Sequence, residues 1–233
     1  MKSTRFPGIY EKKGRRRSLF TINLVPGRSV YGERLVRESV DLGHKASKGV
    51  TEFREWDASK SKLAAAILKG ANQVGLKEGH TVLYLGCSTG TTVSHVSDIV
   101  GRGGFVFALD FAPRVMREMV FLAQERPNIA PLLADAKKPE EYEDIVKEKV
   151  DWLFQDIAQR NQPEIFLKNV AKFLKKGAYC VAAIKARSID VSKKPGLIFR
   201  SVQKKLEEDL TLVDKRELSP FQRDHMLFVF KKR

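Results

Sequence analysis

The chain is poor in the residues that build redox, disulfide or metal chemistry. It holds 2 cysteines and 4 histidines in 233 residues. Cys87 and Cys180 fall at buried strand or turn positions without ligand-like spacing, so they read as inert core thiols of an intracellular protein, and no metal site is expected. No apolar stretch approaches the ~18 residues that span a bilayer, so no membrane partner is expected. Residues 1–7 lack the apolar core of a secretion signal, which makes a cytoplasmic location the expectation. Repeats and low-complexity tracts are missing too, which excludes solenoids and long disordered tails. Acidic residues are the last shortage: 28 Asp plus Glu against 43 Lys plus Arg leave a net charge of +15. An enzyme of small molecules has no need of that excess. A protein facing a phosphate backbone gains from each counterion it releases, and the basic residues here are clustered, so RNA or DNA is the expected partner.

What is present organises into two parts. Residues 1–55 carry a basic run (12–17) and two short alternating segments (19–25 and 34–40) separated by the turn signal Pro26-Gly27. They read as a small N-terminal β domain, closed by a loop through residues 43–49. Residues 56–233 read as α/β. Ser59 or Ser61 can cap a helix over 62–68. Strands are expected at 81–86, 105–110, 129–133, 150–155 and 178–184, with helices near 91–100, 113–125, 139–148, 163–175 and 196–209. The strands are apolar without alternation, hence buried on both faces and parallel. The last two, 211–217 and 226–230, are joined by a link too short for a crossover helix and must be antiparallel. A parallel sheet finished by such a hairpin is the Rossmann-like, S-adenosylmethionine-dependent methyltransferase version of the doubly wound fold.

The most informative stretch is residues 81–93, a buried strand running into a glycine turn and a helix start. Gly86 and Gly90 supply backbone freedom and room for close approach of a ligand. Thr91 and Thr92 sit where free N–H groups open the helix. Asp110 ends the second strand about 20 residues on, the spacing at which a carboxylate grips a ribose diol. Ser88 stands where a dinucleotide fold needs a second glycine, so the turn suits a nucleoside ligand without phosphates, such as S-adenosylmethionine. Asp135 ends the third strand, Asp156 the fourth and Lys185 the fifth. Asp156 and Lys185 are expected to face one another across the switch point, with Lys62 projecting to the same mouth and His225 opening the last strand. His95 and Trp56 read as structural, Trp56 packing the N-terminal unit on the main domain.

Four segments together carry a resemblance: GCSTGTTVSHVSD at 86–98, FALDFAPR at 107–114, DAKKP at 135–139 and DIAQ at 156–159. With them the chain resembles the fibrillarin family, the 2′-O-methyltransferases of box C/D RNA–protein complexes, in its short archaeal form. The resemblance implies that Gly86, Thr91, Thr92, Asp110, Phe111, Asp135, Ala136, Asp156, Ile157, Ala158 and Gln159 line an S-adenosylmethionine site. It implies that Lys62, Asp156, Lys185 and His225 form the catalytic set. The partners it implies are a box C/D guide RNA, an rRNA or tRNA substrate, a Nop-family scaffold and a kink-turn-binding protein. Where the family usually has Glu-Phe-Ser this chain has Asp110, Phe111 and Ala112; the shorter carboxylate implies a looser or water-assisted grip. The Gly/Arg-rich tail of eukaryotic members has no counterpart here, which favours an archaeal source. A small-molecule methyltransferase is disfavoured by the charge, and a catalytically dead RNA-binding subunit by the intact set of four.

Overall fold

Short, charge-flanked segments, with two or three apolar residues in each but the two-residue first strand, assemble the N-terminal sheet. Its strands are β1 (Lys2–Ser3), β2 (Ile9–Lys13), β3 (Arg17–Ile22), β4 (Leu35–Ser39) and β5 (Val50–Trp56), all antiparallel, in the order β1-β2-β3-β5-β4. The computed structural model describes residues 1–14, 17–39 and 50–233. The expected loop at 43–49 and the middle of the basic run at 12–17 therefore lie outside the described residues. The two alternating segments supply β3 and β4. The strands β2 and β5 escape a pattern reading because each mixes charged and aromatic residues. Arg54, for example, points inward from β5 and is fully buried.

Seven strands form the main sheet. They are β6 (Thr81–Leu85), β7 (Phe105–Asp110), β8 (Ile129–Leu133), β9 (Val150–Gln155), β10 (Leu174–Lys185), β11 (Leu210–Glu217) and β12 (His225–Lys232), in the order β11-β12-β10-β9-β6-β7-β8. Pairings among β6 to β10 are parallel, while β12 lies antiparallel to both β10 and β11. This is the expected sheet with its C-terminal hairpin. The helices are α1 (Lys62–Leu68), α2 (Thr91–Val100), α3 (Pro113–Glu125), α4 (Gln162–Phe173), α5 (Ala186–Ile189) and α6 (Pro195–Leu206). Ser61, not Ser59, caps α1, its hydroxyl accepting from the Ala64 N–H at 3.4 Å. The helix expected over 139–148 is corrected to a single 3₁₀ turn, Pro139–Tyr142. Within 139–148 only Pro139, Tyr142 and Val146 are buried, and the charges around them leave no second turn to hold against the sheet.

Both faces of the sheet are covered, which explains the unbroken apolar strands. The apolar sides of α1, α2 and α3 share one core with Val82, Tyr84, Trp152 and Phe154, and this core also takes in Leu19 and Trp56 from the N-terminal sheet and Phe6 from the turn between β1 and β2. On the other face α4 and α6 pack over Leu83, Leu85, Leu153 and Ile184. Trp56 stacks on the His95 ring with centroids 5.0 Å apart. His95 is fully buried and bonded to Thr21 Oγ1 and the Tyr31 hydroxyl, each at 2.8 Å. Burial pushes its imidazolium far below the ordinary range, helped by the Arg54 and Arg126 guanidinium groups, so the ring is neutral.

The same junction holds a buried ionic cluster. Asp98 Oδ2 accepts from Arg54 Nη1 at 2.8 Å and from Thr21 Oγ1 at 2.8 Å. Its Oδ1 accepts from Arg126 Nη1 at 2.7 Å and from the Leu24 N–H at 3.0 Å. Arg54 also donates to Glu33 at 2.5 Å. One carboxylate on α2 thus joins β3, β5 and the residue that follows α3. Pattern reading missed it, because a polar residue inside a helix looks solvated until the sheet above it is known.

Candidate functional site

The candidate site residues converge on the carboxyl ends of the parallel strands, where open α/β sheets bind ligands, with Thr91 and Thr92 opening α2 just beyond β6. A cleft of about 230 Å³ opens there, lined by Gly86, Asp110, Phe111, Asp135, Ala136 and 156–159, with Leu109 and Ile165 completing its apolar walls. The turn after β6 is shaped by close packing of the protein on itself. Gly86 is left-handed (φ 83°), and a Cβ there would lie 2.3 Å from the Asp156 carbonyl oxygen. Gly90 (φ 90°) is pressed against Leu122, whose Cδ2 would be 2.4 Å from a Cβ. The backbone freedom read from the sequence is required, but the close neighbours are Asp156 and α3.

Asp110 is fastened at the tip of β7. Its Oδ2 accepts from the Ser88 N–H at 3.0 Å and its Oδ1 from the Ala112 N–H at 3.1 Å. Ser88 itself is left-handed, with φ 49°, so this bond holds a strained residue in place. A carboxylate has about four acceptor positions, so each oxygen keeps one for a ligand. Asp135 Oδ1 accepts from the Lys137 N–H at 2.9 Å, and its Oδ2 has no partner among the described residues. Phe111 is 65% exposed at the rim, an aromatic face open to solvent beside the two carboxylates. Thr91 and Thr92 lie outside this lining. Thr92 is buried and its hydroxyl donates to Ser61 Oγ at 3.0 Å, which ties α2 to the cap of the helix that starts with Lys62.

Beside the cleft the four polar candidates meet. Lys62 Nζ and Asp156 Oδ2 form a half-buried ion pair at 2.8 Å. The Asp156 N–H donates to the Leu85 carbonyl at 2.8 Å, which fixes it against β6. The expectation that Asp156 and Lys185 oppose one another across the switch point is corrected. The strand order reverses between β6 and β9, whereas β9 and β10 are neighbours on the same side. Asp156 and Lys185 therefore extend side by side from adjacent strand ends, and it is Lys62 that takes the carboxylate. Lys185 Nζ is solvent-facing and has no ion-pair partner among the described residues.

His225 pairs with Lys185 across the antiparallel β10–β12 ladder. Burial pushes its imidazolium below the ordinary range; the Lys62 and Lys185 charges add to this, while the bond to the Arg223 carbonyl and the Asp156 charge oppose it. At neutral pH the ring is thus uncharged. Nδ1 lies 2.6 Å from the Arg223 carbonyl, so Nδ1 carries the hydrogen and Nε2 is left as the acceptor. Around this mouth Arg160, Lys185, Arg187, Lys194 and Arg223 are exposed, a basic rim of the sort a phosphate chain would meet. Among the described residues, only Arg187 of these has a carboxylate close by, Asp224 at 3.3 Å.

The sequence model of fibrillarin matches residues 1–233. The chain is 47% identical to a fibrillarin-like rRNA/tRNA 2′-O-methyltransferase of Thermococcus sibiricus, over 100% of this chain and 99% of that protein. Among solved structures it is similar to Aeropyrum pernix fibrillarin in complex with natively bound S-adenosyl-L-methionine, with a TM-score of 0.85 and 42% identity over 98% of this chain and 96% of that one. It is also similar to a chain of a fibrillarin/Nop5p complex, with a TM-score of 0.83 and 40% identity over 97% and 98% of the two chains.

Proposed function

As this chain belongs to the fibrillarin family, we propose that it methylates ribose 2′-hydroxyls of rRNA and tRNA with S-adenosylmethionine, as the catalytic subunit of a guide-directed box C/D ribonucleoprotein. The observation that carries the reading is the meeting of a carboxylate-edged apolar cleft with Lys62, Asp156, Lys185 and His225 at one end of the sheet. The cleft fits the cofactor by the chemistry of its donors. Asp110 keeps acceptor capacity for a ribose diol, Asp135 has an oxygen free for an adenine amino group, and Leu109, Ile157 and Ile165 form apolar walls for a flat base. When bound, the cofactor supplies an electrophilic sulfonium methyl.

The rest is the work of the chain's own residues. An enzyme transferring such a methyl mainly has to align a 2′-oxygen with it and manage the hydroxyl proton. Lys185 is assigned to that hydroxyl, either accepting the proton at Nζ or steering the oxygen by its charge. Lys62 holds Asp156 through their ion pair, so the carboxylate stands fixed between the cleft and Lys185. Neutral His225 presents Nε2 as a second acceptor at the same mouth. The basic rim is assigned to phosphates, and sequence choice to a guide RNA, since no RNA-reading module stands among the chain's described elements. A Nop-family scaffold is the proposed protein partner, supported by the likeness to the fibrillarin/Nop5p chain. A kink-turn-binding protein would complete the particle.

The reading is tested by transfer of a labelled methyl group from S-adenosylmethionine to a guide-matched ribose, with guide, scaffold and kink-turn protein added together and singly omitted. Transfer that depends on guide and scaffold is expected; cofactor binding with no transfer to any RNA would overturn it. A second measurement concerns Asp110. Asp110→Ala should weaken S-adenosylmethionine binding by roughly 1–3 kcal/mol in calorimetry, the range for hydrogen bonds to a charged group. Asp110→Asn keeps an acceptor for the turn and should lose less; unchanged affinity in Asp110→Ala would remove Asp110 from the site.

A further inference from the structure

We infer that Gln162 is a positioning residue for methyl transfer: its buried side-chain amide clasps the Lys185 peptide and sets the reach of the Lys185 amine beside Asp156. The inference rests on the assignment of Lys185 to the 2′-hydroxyl. Its geometric basis is a mismatch in strand length. The β9 ladder ends at the pair Ala182–Gln155, and β10 runs on to Lys185 with no strand on that edge. On the other edge β12 continues, with Lys185 opposite His225 and the Ala186 N–H donating to the Asp224 carbonyl at 3.0 Å. Alternate residues of a strand direct their N–H and C=O to opposite edges. The N–H and C=O of Lys185 therefore point to the side that β9 has vacated.

Gln162 fills that place. Its Oε1 accepts from the Lys185 N–H at 3.2 Å, and its Nε2 donates to the Lys185 carbonyl at 3.3 Å. One side-chain amide thus makes both bonds that a neighbouring strand would have made. The Gln162 carbonyl in turn accepts from Gln155 Nε2 at 2.8 Å, and Gln155 immediately precedes Asp156. Both glutamines are fully buried. Two buried amides, from the end of β9 and the start of α4, therefore bridge the strand ends that carry Asp156 and Lys185. A buried amide is costly unless its ends are bonded, so packing alone would not favour one at the start of α4. The amide is matched instead to the one peptide of β10 whose side chain faces the reacting hydroxyl.

The test uses the full chain in the assembled particle with guide RNA. Gln162→Leu keeps the volume and removes both bonds. Its single-turnover methylation rate at saturating RNA and S-adenosylmethionine should fall about 10–100-fold, the loss typical of a reacting group displaced by about an ångström. Cofactor and RNA affinities should not change. In a Lys185→Ala background the same substitution should cause no further loss. Gln162→Glu provides a second reading: its carboxylate repels the Lys185 carbonyl, so its rate relative to the unaltered chain should recover as pH falls and protonation restores the donor. Full rate in Gln162→Leu, an equal loss with and without Lys185, or a loss confined to cofactor affinity would each overturn the inference. If Lys185→Ala alone keeps full rate, the assignment of Lys185 falls and this inference with it; a slow Lys185→Ala beside a fast Gln162→Leu rejects Gln162 alone.

Discussion

Lys185→Ala is expected to lower the single-turnover methylation rate by roughly 10²–10⁴, the usual consequence of losing a general base, while S-adenosylmethionine binds as before. The separation follows from geometry. Lys185 ends β10 outside the lining of the cofactor cleft, and among the described residues its amine takes no part in an ion pair that its removal would break. Asp156→Ala should behave differently. It borders the cleft and neutralises Lys62 at 2.8 Å, so its loss should weaken cofactor binding and slow transfer together. The comparison distinguishes a lysine that acts on the hydroxyl from one that only attracts RNA. In the second case affinity for the guide complex would drop and the rate at saturating RNA would survive. A surviving rate would hand the proton to Nε2 of His225, the remaining neutral acceptor at the mouth.

The largest effect on stability is expected at Asp98. Removing one partner of a buried ion cluster leaves uncompensated charge, at a cost of about 3–5 kcal/mol. Asp98→Ala strands two guanidinium groups at once, Arg54 and Arg126, both buried, and also orphans the Leu24 N–H. Glu33 still answers Arg54, but Arg126 keeps only neutral acceptors, Ser94, Ser97 and Asn23. Thermal unfolding should register the loss at about 2–4 °C for each kcal/mol in a chain of this size. Asp98→Asn, which keeps the shape and loses the charge, should fall between. A change under about 1 kcal/mol in Asp98→Ala would mean that the cluster contributes nothing net to the junction.

The parallel sheet, most of its helices and its terminal hairpin were legible in the sequence because they follow from short-range rules; the helix expected over 139–148 was not. Apolar runs without alternation mark strands covered on both faces, and the link between β11 and β12 leaves no length for a crossover. The strand-end carboxylates and lysine were legible for the same reason, since the topology of an open α/β sheet assigns strand ends to one edge. What the sequence could not disclose depends on which strand ends where in space. The pairing of Lys62 with Asp156, the side-by-side placement of Asp156 and Lys185, and the inward turn of Thr92 toward Ser61 are set by contacts between segments distant along the chain. The buried Arg54–Asp98–Arg126 cluster and the Gln155–Gln162 bridge are of the same kind. A polar side chain shows no periodicity that tells a solvated position from a buried, bonded one, so only the folded structure could decide them.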